Sequence, residues 1–326
     1  MKCLVTGSSG FIGGHLAEEL AKRGDEIYGL VRKTSDTRWL EKLNVKLVDG
    51  DCRDKESLRR AVRGMDYVFH LAAVISAPDW ETYRDVNTKG TQNLIEACFE
   101  KAPGIKRFVF VSSIAACGPS AAGRRLKEDD PCRPISDYGR SKLLAEQIVL
   151  GHKNRLPVSI LRPPNVLGPR QKELFESIRL IRRRIKPLIG SGEPQTSLAS
   201  VEDVVKAVLL AAENEKSQGQ VYFVTDGRDY AWLEIADAIA EFMGIKKFFI
   251  KVPYGLQYIV ALVSELSGWV RGKAPLVSRE HIVATRKYYW LYDGSKIEKE
   301  LGFRVGMDMR ATIRKTIAWY QDQGLL

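Results

Sequence analysis

The chain has 326 residues, 44% of them apolar, and a formal net charge of +11 from 51 basic and 40 acidic side chains. That length and apolar share suit a full globular core with room for two lobes, and they exclude a disordered chain. The basic excess is scattered except at Arg182-Arg183-Arg184 and accompanies no zinc-finger or aromatic RNA-binding signature, so anionic small molecules and solvated surface account for it better than nucleic acid.

In chain order, short apolar runs of buried-strand length predict strands over Lys2–Thr6, Glu26–Val31, Val45–Val48, Tyr67–Leu71, Arg107–Val111 and Val158–Leu161. Between them, Phe11–Lys22, Leu58–Val62, Tyr83–Phe99 and Asp137–Val149 read as helices. Strict alternation of the two predicts an α/β chain, a doubly wound parallel sheet with right-handed crossovers and helices on both faces. Pro163, Pro164, Gly168 and Pro169 then break the pattern, and the later chain turns helix-rich with one returning strand at Gln220–Val224. The expected division is a sheet domain of 1–165 plus 201–226 and a smaller, discontinuous substrate lobe of 166–200 plus 227–326.

The N-terminus lacks the charged start, apolar stretch and small-residue cleavage site of a signal peptide, and no stretch nears the ~20 apolar residues of a membrane span. Cys3, Cys52, Cys98, Cys117 and Cys132 are odd in number and lack metal-ligand spacing. A reducing cytoplasm and no metal site are the expectations.

Thr6-Gly7-Ser8-Ser9-Gly10-Phe11-Ile12-Gly13 follows a strand and opens a helix. Gly7 permits the tight turn, Gly10 lets backbone approach a pyrophosphate, and Gly13 lets helix and strand pack closely. The helix N-terminus offers free N–H groups to the phosphates. An acid commonly follows at the tip of the second strand to bind the adenosine ribose, but here the strand ends Leu30-Val31-Arg32-Lys33. A guanidinium there suits a 2′-phosphate and favours NADP(H). Asp36 keeps NAD(H) open, and a solvated strand end is the plainer reading of Arg32.

Tyr138 and Lys142 lie four apart on one helix face. A nearby ammonium would lower the phenol's pKa from about 10 and make Tyr138 a usable general acid or base. Ser113, just past the fifth strand, would stand at a C-terminal strand edge, where open α/β sheets bind ligands.

Together these pieces resemble the extended short-chain dehydrogenase/reductase superfamily, the NAD-dependent epimerase/dehydratase family, with its Rossmann domain. The resemblance also rests on Gly50-Asp51, Phe69-His70-Leu71-Ala72-Ala73, Val86-Asn87-x-x-Gly90-Thr91, Val111-Ser112-Ser113, Tyr138-x-x-x-Lys142 and Arg162-Pro163-x-Asn165, and it covers essentially the whole chain. It implies that Ser113 and Tyr138 are the catalytic pair, and that Lys142 holds the nicotinamide ribose while depressing the Tyr138 pKa. Ser112 is the rival serine, and the distance to Gly118 favours Ser113. The resemblance further implies cofactor contacts from Ser9, Phe11, Ile12, Lys33, Asp51 at the adenine, Cys52, Leu71, Ala72, Ala73, Val111, Pro163 and Asn165, with Asn87 as structural and proton-relay support. Relatives often form homodimers by packing the helices near Tyr83–Phe99 and Tyr138 into a four-helix bundle.

Dehydratases of the superfamily carry Asp-Glu directly after the catalytic hydroxyl residue, and Ile114-Ala115 stand there instead. Epimerases usually carry Arg-x-Gly-Asp before the C-terminal Ser-Lys. Before Ser295-Lys296 this chain reads Arg286-Lys287-Tyr288-Tyr289-Trp290-Leu291-Tyr292-Asp293, which is closer to the 3β-hydroxysteroid dehydrogenase and dihydroflavonol-reductase-like branch. The implied reaction interconverts a secondary alcohol and a ketone, with a sugar-nucleotide 4-epimerase holding bound NAD as the alternative. The substrate is accordingly a hydrophobic alcohol or ketone, or a sugar nucleotide. The aromatics serve equally well as core. Leu256, Ile259, Val260, Val263 and Leu266 form an apolar stripe that suits core packing first, then a substrate or a membrane surface flanked by Lys251, Arg271 and Lys273. The basic run Arg179–Lys186 reads as a solvated helix face, or as a diphosphate or coenzyme A phosphate site.

Overall fold

Most apolar runs of the first half bury on both faces, as central parallel strands must, while Val45–Asp49 at the sheet edge stays partly exposed. In the computed structural model, which describes residues 1–185, 194–245, 255, 258–259, 261–264 and 287–326, the strands are β1 (Lys2–Thr6), β2 (Glu26–Val31), β3 (Val45–Asp49), β4 (Tyr67–His70), β5 (Arg107–Val111), β6 (Val158–Arg162), β7 (Asn165–Leu167), β8 (Gln195–Ser200), β9 (Gln220–Phe223) and β10 (Asp229–Ala231). Seven form one parallel sheet in the order β3-β2-β1-β4-β5-β6-β9. This is the Rossmann-like doubly wound arrangement that the alternation predicts.

The described helices are α1 (Phe11–Lys22), α2 (Lys55–Ala61), α3 (Trp80–Tyr83), α4 (Gly90–Lys101), α5 (Asp137–Gly151), α6 (Lys172–Arg182), α7 (Val201–Glu213), α8 (Trp232–Phe242), α9 (Ser295–Leu301) and α10 (Met309–Asp322). Successive strand side chains alternate between two helical layers. Cys3 and Val5 of β1 join Leu16 and Leu20 of α1 and Val204 and Val208 of α7. Leu4 between them joins Leu58 of α2, Leu94 of α4 and Ala145 of α5.

Two expected helices begin earlier than their apolar residues suggest. Asp54 accepts hydrogen bonds from the Glu56 and Ser57 amides and starts α2 at Lys55. Asp79 does the same for Thr82, and α3 then runs through one π-helical turn, Arg84–Lys89, into α4. The single helix expected over Tyr83–Phe99 is therefore three segments with a widened turn in the middle.

A second sheet, β10-β8-β7, was not predicted. Two of its strands have three residues, too few to display a period of two. Leu174 and Ile178 of α6, Ile235 and Ile239 of α8 and Ile313 and Ile317 of α10 form a separate core beside it. Arg170, in the left-handed region at φ 73°, fastens this part to α1 through Glu18 at 2.6 Å and His15 at 3.0 Å.

Candidate active site

The glycine-rich turn follows β1 and opens α1. Gly7 has φ 71°, and a side chain there would press on the Ala72 amide nitrogen at 2.9 Å; one on Gly13 would lie 2.1 Å from the Gly7 carbonyl oxygen. No side chain larger than hydrogen fits either place. Asp54, Ser136, Ser200 and Asp308 close the N-termini of α2, α5, α7 and α10 with side-chain acceptors, whereas Gly10 leaves that of α1 without one. An uncapped N-terminus above a tight turn suits an anionic diphosphate, so the residues present fit a dinucleotide. Ser9, Phe11 and Ile12 of the turn are partly exposed beside it.

Behind the turn runs a buried relay. The Ala72 amide donates to Thr6 Oγ1 at 3.1 Å, and Thr6 Oγ1 meets His70 Nδ1 at 2.7 Å. His70 Nε2 meets Thr91 Oγ1 at 2.9 Å, and Thr91 donates to the Asn87 carbonyl at 2.6 Å. Thr91 has spent its proton, so it accepts from Nε2–H, and Nδ1 accepts from Thr6; the ring is assigned as the neutral Nε2–H tautomer. Burial first, and the Lys142 charge second, push His70 down to about 3.

The Asn87 side chain, in the π-helical turn, continues the line. Its Oδ1 accepts from the Val74 amide at 2.8 Å, and its Nδ2 donates to the Val74 carbonyl at 3.0 Å and to Ser141 Oγ at 2.9 Å. Ser141 in turn donates to the Tyr138 carbonyl at 2.7 Å. Asn87 thereby ties the partly exposed loop Leu71-Ala72-Ala73 to the helix that carries Tyr138.

The structure brings Ser113 and Tyr138 together: the Ser113 hydroxyl lies close enough to the phenol to oppose the rise in its pKa. Gly139, which the sequence reading passed over, makes the approach possible. A Cβ on it would lie 2.2 Å from the Ala115 carbonyl oxygen, so α5 can close on the segment after Ser113 only with glycine here. A glycine in a helix's first turn, beside the tyrosine, was the available signal. The rival Ser112 is buried and its hydroxyl has no partner.

Lys142 departs from the expectation. It is buried, donates to the Val111 carbonyl at 2.9 Å and lies 4.1 Å from the centre of the Phe110 ring. Burial lowers it to about 7, against the raising influence of Glu146. With its ammonium turned to Val111, Lys142 does not depress Tyr138. Burial lifts that phenol to about 12, the Ser113 hydrogen bond opposing and Tyr83 adding to the rise.

Past the ends of β2 and β3 a cavity of about 380 Å³ is lined by Arg32, Lys33, Arg53 and Arg60 together with Asp49 and Asp51. Arg53 grips Asp51 at 3.0 and 2.7 Å and holds its carboxyl below the usual range. Asp36 is outside the lining and is paired with Arg38. Cys52 sends its side chain into the core, where a Cβ on Gly90 would meet it at 2.9 Å.

Pro163 is buried and accepts from the Ile114 amide at 3.1 Å, while Asn165 stands exposed with its amide 3.4 Å from Thr196 Oγ1. Tyr292 is core: its hydroxyl donates to the Gly118 carbonyl at 2.6 Å beneath the Ser113 segment. In the apolar stripe, Leu256, Val260 and Leu266 lie outside the described residues, as do Lys251, Arg271 and Lys273. Ile259 and Val263 are exposed, so the core packing expected first for the stripe does not hold at these two positions, where no described residue covers them enough to bury them. In the basic run Arg179 pairs with Glu176 on an exposed face, and Lys186 lies outside the described residues. Among the described residues no cluster suits a metal ion, and no helix is long and apolar enough to cross a membrane.

Comparison with known proteins gives three kinds of likeness. The family described as NAD dependent epimerase/dehydratase matches residues 3–225. A 3-beta-hydroxysteroid dehydrogenase of Mycolicibacterium neoaurum is 28% identical over 98% of this chain and 92% of its own. A UDP-glucose 4-epimerase of Vibrio cholerae is 30% identical over 85% of this chain and 84% of its own. The solved structure of MoeE5 in complex with UDP-glucuronic acid and NAD is 26% identical and superposes with a TM-score of 0.80, covering 99% of this chain and 100% of that one.

Proposed function

The chain belongs to the NAD dependent epimerase/dehydratase family, and we propose that within it the protein is an NADP(H)-preferring oxidoreductase interconverting a secondary alcohol and a ketone. The observation that carries this reading is the approach of Ser113 to the Tyr138 phenol, on a sheet whose first helix α1 opens without a side-chain cap. The dehydrogenase likeness supports it, and so do Ile75 and Ile135, apolar side chains 66% and 41% exposed on the loops entering Tyr83 and Tyr138.

The turn Gly7–Gly13 would hold the diphosphate, Arg32 and Lys33 the 2′-phosphate, and Lys142 the nicotinamide ribose. When bound, the nicotinamide supplies or accepts the hydride. Ser113 holds the substrate oxygen by its hydroxyl. Tyr138 gives that oxygen a proton in reduction and takes it back in oxidation. A phenol raised to about 12 is protonated throughout the neutral range, so it donates to a ketone without prior titration.

Turnover of apolar secondary ketones with NADPH and with NADH tests the reading. Tyr138→Phe is expected to lower kcat by roughly 10²–10⁴-fold with cofactor affinity retained. NAD(H) carried through purification, together with turnover of a sugar nucleotide without added cofactor, would replace it with the epimerase reading.

A further inference from the structure

Cys117 and Cys132 are fifteen positions apart, yet their sulfurs are 3.2 Å from each other. Cys117 ends the short helix that follows Ser113 and is 1% exposed; Cys132 lies in the strap leading to α5 and is partly exposed. The Arg133 amide donates to the Cys117 carbonyl at 2.6 Å and pins the two stretches together.

The pair has a built environment. Arg162, 4% exposed, meets Glu146 through Nε at 3.0 Å and Nη2 at 2.7 Å. Its Nη1 is 3.2 Å from the Cys117 sulfur and Nη2 is 3.3 Å from that of Cys132. A buried guanidinium facing two sulfurs favours a thiolate. The Cys117 hydrogen bond and then the Arg162 charge bring Cys132 down to about 7, while Cys117 is pushed well up. Elsewhere burial raises Cys3 and Cys52 to about 12 and Cys98 further still.

We propose that Cys117 and Cys132 form a peroxide-oxidised dithiol, a covalent modification site built against the segment that carries Ser113. The Cys132 thiolate attacks one peroxide oxygen, the O–O bond breaks, and a sulfenic acid forms as hydroxide leaves and takes up a proton. The Cys117 sulfur then attacks the Cys132 sulfur, and the thiol proton leaves with the sulfenic hydroxyl as water. An S–S bond replaces two S–H bonds, and the two electrons lost by sulfur reduce one peroxide to two waters. Closure staples the Ser113 segment to the strap that leads into Tyr138.

The native full chain is treated with hydrogen peroxide, quenched, denatured, alkylated and weighed intact. Two of the five thiols are expected to escape alkylation, with a peptide joining Cys117 to Cys132 and dithiothreitol restoring both. In Cys117→Ser, Cys132 is expected to stop at sulfenic or sulfinic acid; in Cys132→Ser, Cys117 is expected to stay unmodified at the same dose. Five alkylated thiols in the treated wild type, or sulfinic acid at Cys132 beside a free Cys117, would overturn the proposal without recourse to either variant.

Discussion

Around the cavity at Arg32, charge is held in the open. Asp51 with Arg53 and Asp36 with Arg38 are ion pairs whose side chains are 25% to 67% exposed. At the Tyr138 end titratable groups, the neutral His70 among them, are held in the core: His70, Lys142, Glu146 and Arg162 are all under 5% exposed. Exposed pairs contribute about 0–1 kcal/mol and are screened by salt, whereas a buried polar group stripped of its partner costs several times more. One end can therefore change its ligand preference with the fold intact, while the other carries its chemistry on groups that also hold the molecule together.

Three substitutions test that contrast, and the largest effect is expected at the buried ion pair. Glu146→Gln removes the carboxylate from Arg162 and is expected to cost about 3–5 kcal/mol in urea unfolding. A loss no larger than that of an exposed pair would erase the distinction between the two ends.

His70→Gln keeps a polar side chain between Thr6 and Thr91 and is expected to cost about 1–3 kcal/mol at neutral pH. Its sharper signature is in acid. The folded chain leaves His70 neutral down to about 3, while the unfolded chain protonates it below its ordinary 6.5. The unfolded state binds more protons in that window, so stability falls as pH falls through it. In the variant this slope between pH 6.5 and about 3 is expected to flatten; urea titrations at stepped pH that kept the wild-type slope would place the acid sensitivity elsewhere.

Arg32→Ser is the mildest. It is expected to weaken NADP(H) binding about tenfold, the worth of one charge-assisted hydrogen bond, to leave NAD(H) nearly unchanged and to move stability by under ~0.5 kcal/mol. The tenfold gap is expected to shrink with added salt. An unaltered ratio of the two affinities would remove Arg32 from cofactor choice.

The large sheet was legible because a strand buried on both faces must be apolar along its length: β1, β2 and β5 have the expected bounds and β3, β4, β6 and β9 differ by one residue. The second sheet was not, since its short strands lack a period. In the site, the family resemblance singled out Ser113, Tyr138 and Lys142, since a tyrosine and lysine four apart are commonplace on a surface helix, but the direction of Lys142 could not be read. Its hydrogen bond to Val111 depends on the packing of β5 against α5. The Cys117–Cys132 pair was invisible for a related reason: fourteen intervening residues return the chain to itself, and no spacing rule covers that.

The π-helical turn at Arg84–Lys89 gives the Tyr138 end an adjustable geometry. A turn that holds one residue more than its neighbours acts as a phase shifter. An α-helix advances about 100° per residue, so losing one residue there would rotate everything on its N-terminal side by that angle about the helix axis. Tyr83, whose ring centre is 6.3 Å from that of Tyr138, and Trp80, stacked on Arg140, would both swing out of register. In this family member an insertion or deletion of a single codon within that stretch would thus reshape one wall of the site as thoroughly as replacing the residues that line it.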